Sequence, residues 1–428
     1  MTTPYRFDAH HKNYPAHAPA LTSEEIAAQG WNVLADDLSY PLATLRRSAL
    51  AHNLQWMQAY ARRKGAWLAP HGKTTMSPEL FAMQLEAGAW GLTLATVWQA
   101  QTGVAAGARR ILIANQVLAD ADLDALDALL AATAGLQVCF LVDSVAQLGC
   151  IEDWRVRRSN GRGSARVFDV LLEMGFEGGR TGCRTLEQAQ ALALALHHSP
   201  AVALCGIECY EGQLGTCDSA HDVAAVAPLV ERVQALLRWC DTQALIAGDV
   251  TLVSAGGSAI FDLVMPLLSG LDMHKPLQGV LRSGCYITHD QGHYRRYLQL
   301  VEQREGLASS LEPALEVWSL VQSVPEPGLA LLTCGRRDIS SDIEMPLPQR
   351  WAPRGARSAG AVPPQWKVTA LNDQHAYLRF DPQGAVPALG DRVSLGLSHP
   401  CTTFDKWGWM VLVDDDWGVT GAVHTCFG

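Results

Sequence analysis

The stretch LAPHGKTTMSPELFAMQLEAG, Leu68 to Gly88, joins an apolar run to a punctuated helix through a turn that carries a lysine. The helix end is well marked. Ser77 can cap the first free amides, Pro78 suits the first turn, Glu79 complements the positive end, and Gly88 can take a left-handed stop. The spacing predicts a strand over Trp67–Pro70 and a helix over Ser77–Ala87, with Lys73 in the loop between them. An ammonium at the end of a buried strand is an awkward structural choice, because burial strips its solvation. Lys73 therefore either snorkels to solvent or serves chemistry.

The same strand-then-helix rhythm repeats. Apolar, β-rich runs at Trp67–Pro70, Gly91–Ala95, Arg110–Ala114, Gln137–Val142, Val167–Glu173, Ala203–Cys209, Thr251–Ser254 and Gln278–Arg282 alternate with helical periods such as Thr96–Ala106, Asp120–Ala132, Leu186–His197 and Asp222–Trp239. Eight such units imply an α/β fold, a closed (β/α)8 TIM barrel, in which the loops after the strands form the functional face. Beyond about residue 300 the texture changes to short strand-like runs and Gly/Pro turns, which implies a second, mainly β C-terminal domain. The expected division is an N-terminal extension over 1–40 packing with the β domain, a barrel over 41–300 and a β domain over 301–428. PLPQRWAPRGARSAGAVPPQ, Pro346 to Gln365, reads as a mobile loop.

A chain of 428 residues exceeds the usual reach of one core, in keeping with two domains. Its formal charge of −10 disfavours nucleic acid and anionic membrane as partners and leaves small molecules or proteins. No run of 18 apolar residues and no signal-like N-terminus stand in the sequence, so a cytoplasmic location is expected. Eleven irregularly spaced cysteines read as reduced thiols, with Cys205 and Cys209 as core residues.

Several segments could carry chemistry. A lysine amine at a barrel mouth can form a Schiff base with a carbonyl cofactor, of which pyridoxal phosphate (PLP) is the commonest. SAGGSAIF, Ser254 to Phe261, and LRSGCYITHD, Leu281 to Asp290, follow the seventh and eighth strands, where such barrels cradle phosphate. Gly256, Gly257 and Ser258 would form one side of that cradle and Gly284 and Cys285 the other, or all are plain turn residues. In GLSHPCTTFDKW, Gly396 to Trp407, His399 and Cys401 would face the same way on a strand and could share a metal, zinc by donor type; two ligands would leave positions open for substrate. Arg180 and Tyr210, after the fifth and sixth strands, could bracket a flat anionic cofactor or be solvated loop residues.

Taken in order, PHGKT, EAGAWGLTLAT, EMGFEGGRTG, IECYEG, SAGGS, RSGCYITHD and SHPCTTFDKW resemble the D-serine dehydratase and D-threonine aldolase family, over most of residues 40–428. That resemblance implies an alanine-racemase-like PLP barrel and a homodimer. It implies that Lys73 is the Schiff-base lysine, Tyr210 the tyrosine near the pyridine ring, and His399 with Cys401 the metal pair, Cys in place of Asp pointing to zinc and to elimination. The implied activity is dehydration of a small β-hydroxy-D-amino acid such as D-serine to a keto acid and ammonia. Aldol cleavage to glycine and an aldehyde, or a non-catalytic PLP-binding regulatory barrel, are the alternatives. Ala69, Thr75 and Met76 depart from the family's usual Arg and His-Lys around the lysine.

Overall fold

The computed structural model describes residues 4–162 and 166–427. Eight parallel strands, Trp67–Leu68, Leu92–Leu94, Arg110–Gln116, Gln137–Val142, Phe168–Met174, Val202–Cys209, Thr251–Ala255 and Leu277–Leu281, follow one another round a barrel. The first pairs with the eighth, Trp67 opposite Val280. Between the first and second strands the ring is completed by a His71–Thr93 bridge and by the Thr93 amide, which donates to the Pro70 carbonyl at 2.9 Å. Strands such as Gln137–Val142 are buried along nearly their whole length, because the barrel interior covers one face and helices the other. Among those helices are Pro78–Glu86, Asp120–Ala132, Val145–Arg162 and Ser219–Thr242. Among the described residues no helix is long and apolar enough to cross a membrane.

The second domain is a mainly antiparallel sheet in the order Gly360–Ala361, Leu347–Ala352, Arg392–Gly396, Leu315–Glu326, Leu42–Arg46, Trp409–Val413 and Val419–His424. The far half of Leu315–Glu326 continues into a small layer with Leu329–Leu332, Ala376–Arg379 and Lys367–Leu371. Residues before the barrel join this body: Phe7, Tyr14, Ile26 and Val33 pack in one core with Trp318, Trp409 and Val411.

Three local expectations change. Leu42–Arg46, placed with the barrel from the sequence, lies centrally in the second sheet, antiparallel to Leu315–Glu326 and parallel to Trp409–Val413; its buried LATLR pattern suits a strand between two neighbours. The loop expected over 346–365 contains two strands, Leu347–Ala352 and Gly360–Ala361. Pro348 is accommodated there by a register shift beside it near the edge of the sheet, where a missing amide is tolerated. Ser77 stands at the helix start but makes no cap; its hydroxyl donates to Glu79 at 3.1 Å. Gly88 does follow the helix with a positive φ of 100°.

Candidate active site

After the first strand the chain turns through Gly72–Thr74 and enters the helix Pro78–Glu86. Two contacts from the β domain fix this turn. The Cys426 amide donates to the Met76 carbonyl at 2.8 Å, and His424 Nδ1 lies 2.6 Å from Glu79 Oε1. Met76, fully buried, occupies one of the positions where the sequence departs from the family pattern. From the opposite side Gly284 is pressed against the turn: a Cβ there would sit 2.4 Å from the His71 carbonyl oxygen.

Lys73 opens into a cavity of about 290 Å³ on the face formed by the loops after the strands, lined also by His71, Asn115, Glu173, Arg180, Thr181, Glu208, Tyr210 and Arg282. A larger hollow of about 390 Å³ lies at the opposite end of the barrel, near Arg110, Gln137 and Gln278 at the strand starts. The smaller cavity is the site, since it holds the lysine and lies on the catalytic face of such barrels.

The charges within it are arranged in layers. At the floor Arg282 pairs with Glu208, their side chains 4% and 2% exposed, and Arg282 also donates to the Cys209 carbonyl at 2.7 Å. Burial pushes the Glu208 carboxyl up, against the pull of the guanidinium. Above them Glu173 accepts from Thr181 Oγ1 at 2.6 Å and from Gln116 Nε2 at 2.5 Å. Lys73 is open to the cavity but surrounded by protein on its other sides. Desolvation therefore holds its amine below the ordinary lysine range, against the opposing pull of Cys401 and Cys285. Burial likewise keeps His71 well below its usual value, with Lys73 acting in the same direction. A lysine in this state has a larger fraction of free amine, the nucleophilic form.

The residues singled out from the sequence divide into three groups. Lys73, Arg180 and Tyr210 share the cavity. Arg180 and Tyr210 leave no gap between them: the guanidinium lies over the ring at 4.9 Å, with Arg282 at 5.5 Å from the same ring. Gly256, Gly257, Ser258 and Gly284 lie behind Tyr210 and the lysine turn. The amides of Gly256 and Gly257, expected to face phosphate, donate instead to the buried Glu211 carboxylate at 3.1 and 2.7 Å. Ser258 Oγ accepts from the Cys285 amide at 3.2 Å. Finally, Cys285 and Cys401 meet, their sulfurs 3.7 Å apart, with Thr74 Oγ1 at 3.6 and 3.4 Å from them.

His399 and Cys401 do not lie on a strand. The strand ends at Gly396, and Cys401 begins a short helix, Cys401–Phe404, after Pro400 bends the chain. His399 Nδ1 is 2.5 Å from Asp342 Oδ2, a carboxylate that orients the ring and leaves Nε2 outside this contact. Among the described residues no three His, Cys, Asp or Glu side chains converge as a metal-holding group. The donor chemistry nevertheless suits zinc: an imidazole oriented by a carboxylate, and a thiol that the Cys285 hydrogen bond holds below the ordinary cysteine range against the effect of burial.

The sequence reading missed Glu208, Arg282, Thr74 and Asp342. Glu208 and Tyr210 are two apart at the end of one strand, a spacing that points both toward one face of the sheet and was available from the sequence. Asp342 gave no such signal, since it comes from a loop 57 residues before His399.

Residues 45–276, more than half of the chain, match the family model "Alanine racemase, N-terminal domain", and residues 314–413 match "Putative serine dehydratase domain". The chain belongs to the alanine-racemase-like D-serine dehydratase and D-threonine aldolase family. It is 29% identical over 375 residues to the D-threonine aldolase of Arthrobacter sp., covering 88% of this chain and 89% of the relative. It is 26% identical over 378 residues to the D-threo-3-hydroxyaspartate dehydratase of Delftia sp., covering 86% and 92%. The fold is shared with the crystal structure of D-threonine aldolase from Filomicrobium marinum, at 23% identity and a TM-score of 0.75 over 92% of this chain and 97% of that one. Members of this family are PLP-dependent lyases.

PLP suits the cavity on structural grounds. Among the described residues His71 Nδ1, Arg282 Nε and Glu208 Oε2 are buried polar atoms without partners, and all three belong to residues lining the cavity beside Lys73. Buried polar groups are rarely left unmatched, so a polar ligand is called for here.

Proposed function

We propose that this chain is a PLP-dependent lyase of a small β-hydroxy-D-amino acid, dehydrating a D-serine-like substrate to a keto acid and ammonia with the help of zinc. The observation that carries the reading is the Lys73 amine, which among the described residues has no hydrogen bond or ion pair of its own, opening into the cavity lined by Arg180, Tyr210, Glu208 and Arg282. When bound, PLP supplies an electron sink for the charge left by breaking a bond at the substrate Cα. Lys73 holds the cofactor and, once released by the substrate amine, is the base that takes the α-proton from its own side of the cavity. That single-sided access accounts for D-specificity. Arg180 lies on the Tyr210 ring and limits how far that side chain can swing. Arg282 and Glu208 form the dry, charged floor.

Zinc, when bound, supplies Lewis acidity to the departing β-hydroxyl. His399 and Cys401 would hold it, Asp342 fixing the ring of His399. A D-threo-3-hydroxyaspartate dehydratase has been solved in variants that replace a histidine and a cysteine two positions apart, the cysteine variant being described as a metal-free form. The spacing His399-Pro-Cys401 is the same. Loss of water from the substrate and its return on hydrolysis of the enamine balance the reaction as keto acid plus ammonia.

A second reading, retro-aldol cleavage to glycine and an aldehyde, draws support from the 29% identity to D-threonine aldolase. Incubation of the PLP-loaded protein with D-serine, D-threonine and D-3-hydroxyaspartate, with assay of both product pairs, separates the two. Ammonia and keto acid are expected. Glycine and aldehyde alone would overturn dehydration, and no turnover with any substrate would leave a non-catalytic PLP-binding barrel.

A further inference from the structure

Glu211 comes from the loop after the sixth barrel strand, and its side chain is fully buried. Each of its carboxylate oxygens takes one amide of the turn after the seventh strand, Oε2 that of Gly256 at 3.1 Å and Oε1 that of Gly257 at 2.7 Å. Two successive amides aimed at one anion form a nest of the kind that receives phosphate. Here a carboxylate of the chain itself fills it. We infer that Glu211 is a positioning residue for the cofactor's phosphate: it fixes the Gly256–Gly257 turn, so that the phosphate is received by the neighbouring Ser258 hydroxyl rather than by the glycine amides.

The turn needs such a strut. Gly256 is held at a φ of 97°, and a Cβ there would sit 2.1 Å from Leu281 Cδ1, so both conformation and space call for glycine. Glycine also loses more conformational freedom on ordering than any other residue, and that freedom has to be removed by a contact from elsewhere. Charge-assisted hydrogen bonds to two consecutive amides remove it before a cofactor arrives, which lowers the cost of binding. From the other side Ser283 Oγ donates to the Gly257 carbonyl at 2.5 Å. The loops after the sixth and eighth strands thus grip the donors and an acceptor of the same turn.

Ser258 is the group that the fixed turn presents. Its Oγ accepts from the Cys285 amide at 3.2 Å, which leaves the hydroxyl proton available to an anion. Glu211 and Gly256 are buried, whereas Gly257 and Ser258 are half-buried, so the turn opens outward at the serine and not at the carboxylate. Tyr210 borders the same turn, since a Cβ on Gly257 would lie 3.0 Å from its Cε2. The ring has supports of its own, however, with the Arg180 and Arg282 guanidinium groups 4.9 and 5.5 Å from its centre. Loosening the turn therefore acts on the phosphate more than on the ring-binding side of the cavity.

The inference rests on the PLP reading above, and the test separates the two. Wild type and Glu211→Gln are titrated with PLP and with pyridoxal, which has the same ring and aldehyde but no phosphate, and each complex is then reduced with borohydride and mapped. Glutamine keeps the size of the side chain but turns an NH2 group toward one of the two glycine amides. PLP affinity should fall about tenfold or more, the worth of one charge-assisted hydrogen bond, while pyridoxal affinity changes by less than about twofold. Equal losses for the two ligands would make Glu211 a support of the cavity as a whole and overturn the inference. Unchanged or tighter PLP binding would overturn it as well, the carboxylate then being either without effect or a competitor of the phosphate. Absence of a pyridoxyl group on Lys73 in folded wild type would instead overturn the PLP reading. Circular dichroism before loading identifies a failure to fold, and Glu211→Asp, one methylene shorter with the charge kept, is then titrated with both ligands and judged by the same outcomes.

Discussion

Removing the Glu208 side chain probes the floor of the cavity. Glu208 and Arg282 have side chains 2% and 4% exposed, and truncating one partner of such a pair leaves the other charge buried, which typically costs about 3–5 kcal/mol. Arg282 keeps its bond to the Cys209 carbonyl at 2.7 Å, so Glu208→Ala is expected near the lower end, about 3 kcal/mol. Glu208→Gln preserves volume and one acceptor and should cost about 1–2 kcal/mol. Glu208→Leu combined with Arg282→Met removes both charges and should restore stability to within about 1 kcal/mol of wild type, because a buried pair repays little beyond its own desolvation. Thermal and urea denaturation of all four proteins, each followed by two probes to detect separate unfolding of the two domains, provide the comparison. PLP affinity is measured alongside, and it should fall in the double variant even though stability recovers. Destabilisation of less than about 1 kcal/mol in Glu208→Ala would refute the reasoning, since it would mean that water reaches the pair. Equal destabilisation in the single and double variants would refute it in another way, by showing that packing rather than charge governs this floor.

Lys73→Ala should abolish turnover and remove the pyridoxyl group that borohydride fixes to the Lys73 peptide; peptide mapping that finds the label undiminished elsewhere would sink the assignment. Gly284→Ala places a Cβ 2.4 Å from the His71 carbonyl and should destabilise by about 1–3 kcal/mol while weakening PLP binding, as read by denaturation and cofactor titration. Against the burial that lowers it, Cys426 and Glu79 hold His424 up to about 9 in the folded protein. A raised folded value means that this contact stabilises fully below the unfolded histidine range near 6.5 and fades as pH climbs through about 9. Stability measured from pH 6 to 9.5 should therefore fall by about 1–3 kcal/mol more in wild type than in Glu79→Gln, and parallel curves would exclude the contact as the cause.

How far the sequence discloses the molecule depends on whether a feature is local. Each barrel run could be read because a strand buried on both faces must be apolar along its length, and the capless start at Ser77 mattered little when Pro78 and Gly88 already bounded the helix. Leu42–Arg46 could not be placed, because its apolar pattern fits any buried sheet and its partners lie 270 residues and more further along the chain. Lys73 stood out for the opposite reason: a charged residue at a strand end violates the local rule, and such violations mark functional positions. Residues that obey the rules stayed hidden. Glu208 looks like one polar residue in a strand until Arg282, 74 residues later, pairs with it, and Glu211 looks like a loop carboxylate until it captures the Gly256 and Gly257 amides. The same logic bears on the proposed metal pair. His399 and Cys401 are adjacent enough to be suspected from spacing alone, although the turn at Pro400 replaces the strand that the spacing suggested. Cys285 is separated from Cys401 by 116 residues and belongs to another domain, so it read as part of a glycine-rich phosphate segment. Only the closure of the barrel loop onto the β domain gives it a sulfur neighbour.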